Sequence, residues 1–134
     1  MRRALITCVV FAIAAPLVWA DVTPGLGSVA IYTGETQWIG KADADVQASI
    51  TNDGLNAAGI NTSWFDDVGQ IDQVATWVAS STNNGALDVL ILYGDIPTSV
   101  YEGGNAQTDG SLAEMMIESP DGDAIINHAD YMFW

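Results

Sequence analysis

Four short apolar runs recur along the chain, and each is followed by polar or glycine-rich residues. They occupy positions 28–33, 60–65, 87–93 and 123–127. Runs of this length that are rich in β-branched residues predict β-strands. The run at 87–93 is apolar nearly throughout, which is typical of a parallel strand that is buried on both faces of its sheet.

The segments between these runs predict three helices. The clearest has apolar residues at i, i+3, i+4 and i+7, namely Ile71, Val74, Ala75 and Val78. A capping box formed by Ser111 and Glu114 predicts the start of a short third helix. The first helix is expected at 43–58, but its apolar residues form no single stripe, and the sequence NDG at 52–54 favours a break.

Strands and helices therefore alternate in the order β-α-β-α-β-α-β. This alternation predicts an α/β domain with a mainly parallel sheet of about four strands, right-handed crossovers and helices on both faces. The expected architecture is a three-layer, flavodoxin-like domain with strand order 2-1-3-4. We expect this domain to span 28–134, after a signal peptide at 1–20 and a short leader at 21–27.

The amino-terminal residues have the three parts of a secretory signal peptide. Arg2 and Arg3 are followed by an apolar run at 4–18, and the sequence VWA at 18–20 ends in the small residue that signal peptidase requires. The apolar run is short for a membrane span. We therefore expect a secreted or periplasmic protein that has no membrane segment once the signal is cleaved.

Charge narrows the range of partners. The chain has 3 Lys and Arg against 17 Asp and Glu, for a net charge of −14. Arg2 and Arg3 would leave with the signal, so Lys41 would be the only fixed positive charge. Such a chain repels nucleic acid and anionic membrane surfaces. The single cysteine, Cys8, also lies in the predicted signal, so we expect neither a disulfide nor a thiol nucleophile.

A binding site is expected where the carboxyl ends of the predicted strands meet at one rim of the sheet, because open α/β sheets bind ligands there. The predicted ligand-binding residues follow strands one, three and four, and they are Gly34, Glu35, Gln37, Trp38, Gly94, Asp95, Asn127 and His128. Trp38 offers an aromatic face on which a sugar could stack. We therefore expect a small polar ligand or a carbohydrate.

His128 is the only histidine and the only side chain expected to titrate near neutral pH. Beside Asp95, Asp130 or Glu35 it could act as a general acid or base. The alternative is a histidine that is hydrogen-bonded at the end of a strand and performs no chemistry. One histidine without further ligands at metal-binding spacing predicts no metal site.

Three segments together resemble the class I glutamine amidotransferase-like group, and within it the trehalose-utilisation-like domains. They are VAIY at 29–32, LDVLILYG at 87–94 and AIINHADY at 124–131. The resemblance implies a flavodoxin-like fold and a catalytic cysteine just after the last strand. No cysteine is present near Ala129, so we expect no glutaminase activity. The later elements of the group would lie beyond Trp134, so the resemblance also implies an incomplete domain.

Two further features bear on cofactors and on the extent of the domain. The sequence TGET at 33–36 resembles the Thr-Gly-x-Thr phosphate loop of flavodoxins, but Glu35 would bring a negative charge against a phosphate. We therefore expect no flavin and no other cofactor.

The aromatic sequence YMFW at 131–134 either folds back over the sheet or is covered by a further domain beyond Trp134, and we expect the latter.

These observations favour an exported, non-catalytic or incomplete amidotransferase-like domain that binds a small polar ligand, a sugar or a partner chain. The alternative is a secreted hydrolase, possibly directed at glycans, that uses Asp95, His128 and Asp130. No Gly-x-Ser-x-Gly sequence supports a serine nucleophile.

Overall fold

The computed structural model of the chain describes residues 25–36, 39–103 and 110–128. Its strands are β1 (Gly25–Tyr32), β2 (Asn61–Phe65), β3 (Ala86–Leu92) and β4 (Ala124–Asn127). Its helices are α1 (Lys41–Ala57), α2 (Ile71–Ser81) and α3 (Leu112–Ile117), and a 3₁₀ turn at Val68–Gln70 leads into α2. Strand β1 begins earlier than the predicted start at 28 and takes in the last residues of the predicted leader.

The four strands form one parallel sheet in the order β2-β1-β3-β4. Tyr32 of β1 lies beside Phe65 of β2 on one side and Leu92 of β3 on the other. Leu92 in turn lies beside Asn127 of β4. The predicted α/β class and strand order are therefore confirmed, and β1, β3 and β4 end at the same level of the sheet.

One face of the sheet packs against α2 and α3. Tyr32 and Leu90 on this face are fully buried, together with Val74 and Val78 of α2 and Met116 of α3. The stripe that predicts α2 is the face that the helix buries, because helix positions three and four residues apart lie on one side. Burial of each such side chain contributes roughly 1.5–3 kcal/mol.

The opposite face packs against α1, so the molecule has three layers. Ala44 and Ala48 are the buried positions of this helix, and they lie against Val29 and Ile31 of β1. Two small side chains let the helix approach the sheet closely. They also explain why no single apolar stripe is visible in the sequence.

Helix α1 runs without interruption through 52–54, so the predicted break is wrong. It ends at Ala57, and Gly59 follows with a φ of 78°, a left-handed conformation that glycine adopts at little cost. The larger apolar residues Val46 and Ile50 lie on the outer side of the helix, 61% and 68% exposed.

Polar side chains cap the 3₁₀ turn before α2 and the start of α3. Asp67 accepts a hydrogen bond from Gly69 N, while Gln70 accepts from Asp67 N, so these two residues form a capping box on the turn before α2. Ser111 Oγ accepts from Glu114 N at 3.1 Å and starts α3.

Several predictions concern residues outside the described part of the chain. The signal peptide at 1–20, the tail at 131–134 and the candidate site residues Gln37, Trp38 and Asp130 are among them. Among the residues that are described, no helix is long and apolar enough to cross a membrane.

Candidate functional site

The rim of the sheet is formed by the residues that follow β1, β3 and β4. Backbone hydrogen bonds join these segments: Tyr93 N donates to Tyr32 O at 3.0 Å, and Asp95 N donates to Glu35 O at 2.9 Å. His128 N donates to Leu92 O at 2.8 Å, which extends the pairing of β3 and β4 beyond the last strand residue. The structure therefore brings together the predicted residues that follow three different strands.

Gly94 lets the loops after β1 and β3 cross at very short range. A Cβ atom at this position would lie 1.9 Å from Glu35 O and 3.0 Å from Thr36 Cα. No other residue fits there unless the backbone moves. Asn127 adds a link from the third segment, because its Nδ2 donates to Gly94 O at 3.2 Å.

His128 lies against an aromatic ring that the sequence analysis did not place in the site. The imidazole stacks on Tyr93, with 5.0 Å between ring centroids and 27° between ring planes. Tyr93 is only 5% exposed, and its hydroxyl is hydrogen-bonded to the Thr51 hydroxyl of α1. His128 is exposed, so it presents an imidazole to solvent on a rigid aromatic support.

Tyr32 lies under the rim on the other face of the sheet and has no exposed surface. Its hydroxyl donates to Glu35 Oε2 at 3.3 Å. Burial, followed by the negative charge and hydrogen bond of Glu35 and the charges of Asp67 and Asp95, raises the pKa of Tyr32 far above its usual value. Tyr32 is therefore a neutral hydrogen-bond donor that fixes the Glu35 carboxylate, and it is not a nucleophile.

A second network lies where β1 leads to α1. The buried Thr33 hydroxyl donates to Asp45 Oδ1 at 2.7 Å and accepts a hydrogen bond from Trp64 Nε1 at 3.3 Å. Lys41 Nζ lies 2.6 Å from Asp45 Oδ1. Thr33 is the first residue of TGET at 33–36, which resembles a phosphate loop, and its hydroxyl is thus hydrogen-bonded to other side chains of the protein.

The pKa of Asp45 reflects this network. Desolvation alone would raise the pKa, but hydrogen bonds from Lys41 and Thr33 and the charge of Lys41 outweigh it, so the pKa lies below its ordinary value. The Lys41 ammonium is correspondingly engaged by Asp45, and it is the only lysine or arginine in the described part of the chain.

The structure locates the predicted site residues as follows. Gly34, Glu35, Gly94, Asp95, Asn127 and His128 lie at the rim, whereas Gln37, Trp38 and Asp130 are outside the described residues. The hydrolase that would use Asp95, His128 and Asp130 stays a prediction. Within the described ranges, no three histidine, cysteine, aspartate or glutamate side chains are grouped closely enough to hold a metal ion.

Sequence reasoning did not single out Tyr93 and Thr51 as residues of the site. Tyr93 could have been noticed as an aromatic residue at the carboxyl end of the most apolar of the predicted strands. Nothing local points to Thr51, because its contact with Tyr93 joins residues that are 42 positions apart in the chain.

Comparisons with protein-family models, with curated proteins and with solved structures give no match to this chain. The resemblance to the amidotransferase-like group therefore stays a prediction. The geometry and charge of the rim are therefore the observations that bear on function.

Proposed function

We propose that this chain is a binding domain that holds a small, polar, neutral or positively charged ligand at the rim of its sheet. The observation that carries the proposal is the stack of His128 on Tyr93, next to the residues that follow β1 and β3. A buried ring that supports an exposed imidazole gives a ligand a flat surface at little entropic cost.

The polar groups at the rim suit a ligand that donates hydrogen bonds. Glu35 and Asp95 are half-buried carboxylates, and ionised carboxylates accept hydrogen bonds only. Hydroxyl groups of a sugar or polyol and the N–H groups of an organic ammonium ion are matching donors. The His128 imidazole adds a ring that can stack on the apolar face of such a molecule.

Charge argues against an anionic ligand. The chain carries a net charge of −14, and its one described cation, Lys41, is already paired with Asp45. A phosphate or carboxylate at the rim would approach the Glu35 and Asp95 carboxylates, and the described residues include no unpaired lysine or arginine that could balance its charge. The negative charge of the ligand and those of the two carboxylates would repel each other, and this repulsion is strongest where water is excluded.

Two substitutions of His128 separate the roles of its ring. His128→Phe keeps an aromatic ring on Tyr93 and removes the polar nitrogen atoms, whereas His128→Ala removes both. We test them by calorimetric titration with a panel of neutral sugars, polyols, organic ammonium ions and organic anions. Gln73→Ala, on the exposed surface of α2, is the control.

We expect at least one neutral or cationic member of the panel to bind the wild-type protein and the Gln73→Ala variant equally. His128→Ala should weaken that binding by roughly five- to thirtyfold, since the loss of one stacked ring costs roughly 1–2 kcal/mol. His128→Phe should retain part of the affinity. Preferential binding of anions, or equal binding by His128→Ala and wild type, would contradict the proposal.

A further inference from the structure

The opposite, amino-terminal end of the sheet contains a polar cluster that the proposed function does not use. Its centre is Asp88, which is 1% exposed. Asp88 Oδ1 accepts from Ser28 N at 2.6 Å and from Ser28 Oγ at 2.8 Å. Asp88 Oδ2 accepts from Asn84 Nδ2 at 2.8 Å, and Asp88 N donates to Asp123 Oδ1 at 2.8 Å.

The loop before β3 is held to this cluster. Asn84 Oδ1 accepts from Ala86 N at 2.8 Å, so both ends of the Asn84 amide are hydrogen-bonded. Gly85 N donates to Asp121 Oδ2 at 2.8 Å. Gly85 has a φ of 88°, a left-handed conformation that favours glycine, and both Asn84 and Gly85 are exposed.

An asparagine followed by glycine is the pair most prone to spontaneous deamidation, because glycine leaves the attacking backbone nitrogen unhindered. The sequence contains this pair once, at 84–85. We propose that Asn84 is a spontaneous modification site that the fold keeps unreactive by holding its amide against Asp88 and the Gly85 N–H against Asp121.

The reaction requires water alone as co-reactant. Gly85 N loses its proton and attacks Asn84 Cγ, a new N–Cγ bond forms, and the Cγ–Nδ2 bond breaks with release of ammonia. Water then opens the resulting cyclic imide at either carbonyl, which leaves an aspartate or an isoaspartate at position 84. No electron is transferred, and the net change is amide plus water to carboxylic acid plus ammonia.

Two features of the folded loop oppose the first step. The Gly85 N–H is held in a hydrogen bond to Asp121, and the negative charge of Asp121 disfavours the deprotonated amide that attacks. The bonds to Asp88 and Ala86 hold the Asn84 side chain in one orientation. Reaction therefore requires local opening of the loop.

The product would weaken the cluster that restrains the loop. Asn84 Nδ2 is the side-chain donor that the loop gives to Asp88. Conversion to a carboxylate replaces this donor with a negative charge next to a buried negative charge, and an isoaspartate also lengthens the backbone. Deamidation is irreversible, so a modified loop cannot regain its original contacts when it closes.

The test follows Asn84 by peptide mass spectrometry during incubation of the full chain at mildly alkaline pH. The arms are the folded wild-type protein, the wild-type protein in denaturant, the Asp121→Ala variant and the Asp66→Ala variant. Asp66 is an exposed acidic residue after β2, so its replacement controls for the loss of one charge. Conversion of Asn52 and Asn56 in α1 is followed in the same samples as an internal reference.

We expect conversion of Asn84 to be slower in the folded protein than in denaturant by roughly tenfold or more, since only open molecules react. Asp121→Ala should accelerate the reaction at Asn84, with no change at Asn52 or Asn56, whereas Asp66→Ala should match wild type. Acceleration at all three asparagines would show general unfolding of the variant. The comparison of folded and denatured wild type then decides the proposal.

Equal rates in folded and denatured wild type would overturn the proposal. Slower conversion in Asp121→Ala than in wild type would also overturn it, because Asp121 would then act as a base for the reaction. As a second measurement, the modified protein is separated by ion exchange and melted. We expect its melting temperature to fall by roughly 4 °C or more, and an unchanged value would contradict the role given to the bond between Asn84 and Asp88.

Discussion

Thr33 and Asp45 show how single residues fix the start of the rim. Thr33 is fully buried, and its hydroxyl joins the indole of Trp64 to the Asp45 carboxylate. Asp45 in turn pairs with Lys41. A buried hydroxyl that both donates and accepts loses little on folding, whereas an unpaired one would cost about 1–3 kcal/mol. The first residue after β1 is therefore fixed against α1 and β2.

The lowered pKa of Asp45 predicts a specific pH dependence of stability. A group whose pKa is lower in the folded state stabilises the fold above its unfolded pKa, near 3.8, and that contribution is lost as the pH falls through the lower folded value. Asp45→Asn should therefore reduce the free energy of unfolding at neutral pH. Because water screens this partly exposed pair, we expect at most about 1 kcal/mol.

Urea unfolding at a series of pH values measures this effect. The difference between wild type and Asp45→Asn should shrink as the pH falls below 3.8. It should also be smaller in high salt, because the bond to Lys41 is partly exposed. The exposed Asp66→Asn substitution serves as the control and should show a much smaller difference at neutral pH. A difference for Asp45→Asn that grows in acid would be inconsistent with the stated role.

At the scale of elements, two glycines lie in opposite environments, one crowded and one open. Gly94 lies where the loops after β1 and β3 cross, and an added Cβ would overlap Glu35 O. Gly54 lies in α1, and a Cβ there would meet nothing within 4 Å. The first glycine is required by packing, whereas the second only weakens a helix.

Substitution of alanine for each glycine gives a matched pair. Gly94→Ala should lower the free energy of unfolding by about 1–3 kcal/mol, because the rim loops must separate to admit the methyl group. Gly54→Ala should raise it by about 0.5–1 kcal/mol, because alanine favours the helix. Chemical denaturation measures both. A destabilised Gly54→Ala variant, or a Gly94→Ala variant as stable as wild type, would show that the two environments are assigned wrongly.

The elements predicted best are those whose pattern and burial coincide. Helix α2 buries the same residues that form its stripe, and β3 is apolar because helices cover both faces of the sheet around it. Helix α1 was less well predicted. Its buried residues are alanines, while Val46 and Ile50 lie outside, so hydrophobicity alone gives the wrong face. Its tolerance of 52–54 comes from tertiary packing, which overrides weak local propensity.

The candidate site was predictable only in part, because some of its contacts join side chains that are distant in the sequence. Alternation predicts the parallel sheet. With the expected strand order 2-1-3-4, it also predicts that Glu35, Gly94, Asp95 and His128 meet at one rim. The support of His128 by Tyr93, and of Tyr93 by Thr51, depends on side chains from three elements. No local sequence pattern encodes such a contact.

At the scale of the whole molecule, the two ends of the sheet have different roles. The carboxyl ends of β1, β3 and β4 present an exposed imidazole and two half-buried carboxylates. The amino ends are tied together by Asp88 and its hydrogen bonds. A parallel sheet separates these ends by its own length, so the hydrogen-bonded end and the proposed ligand-binding end lie apart in a small domain. The strong negative charge would favour neutral and cationic ligands over anions at the proposed site.

The central claim is that ligands bind at the carboxyl rim, and a nitrogen-proton NMR titration of the full chain tests it most directly. Neutral sugars, polyols and organic ammonium ions are added in turn. For a ligand that binds, we predict shifts concentrated at Glu35, Gly94, Asp95 and His128, with little change at Ser28 and Asn84. Shifts centred on the amino end of the sheet, or no shift with any member of the panel, would contradict the claim.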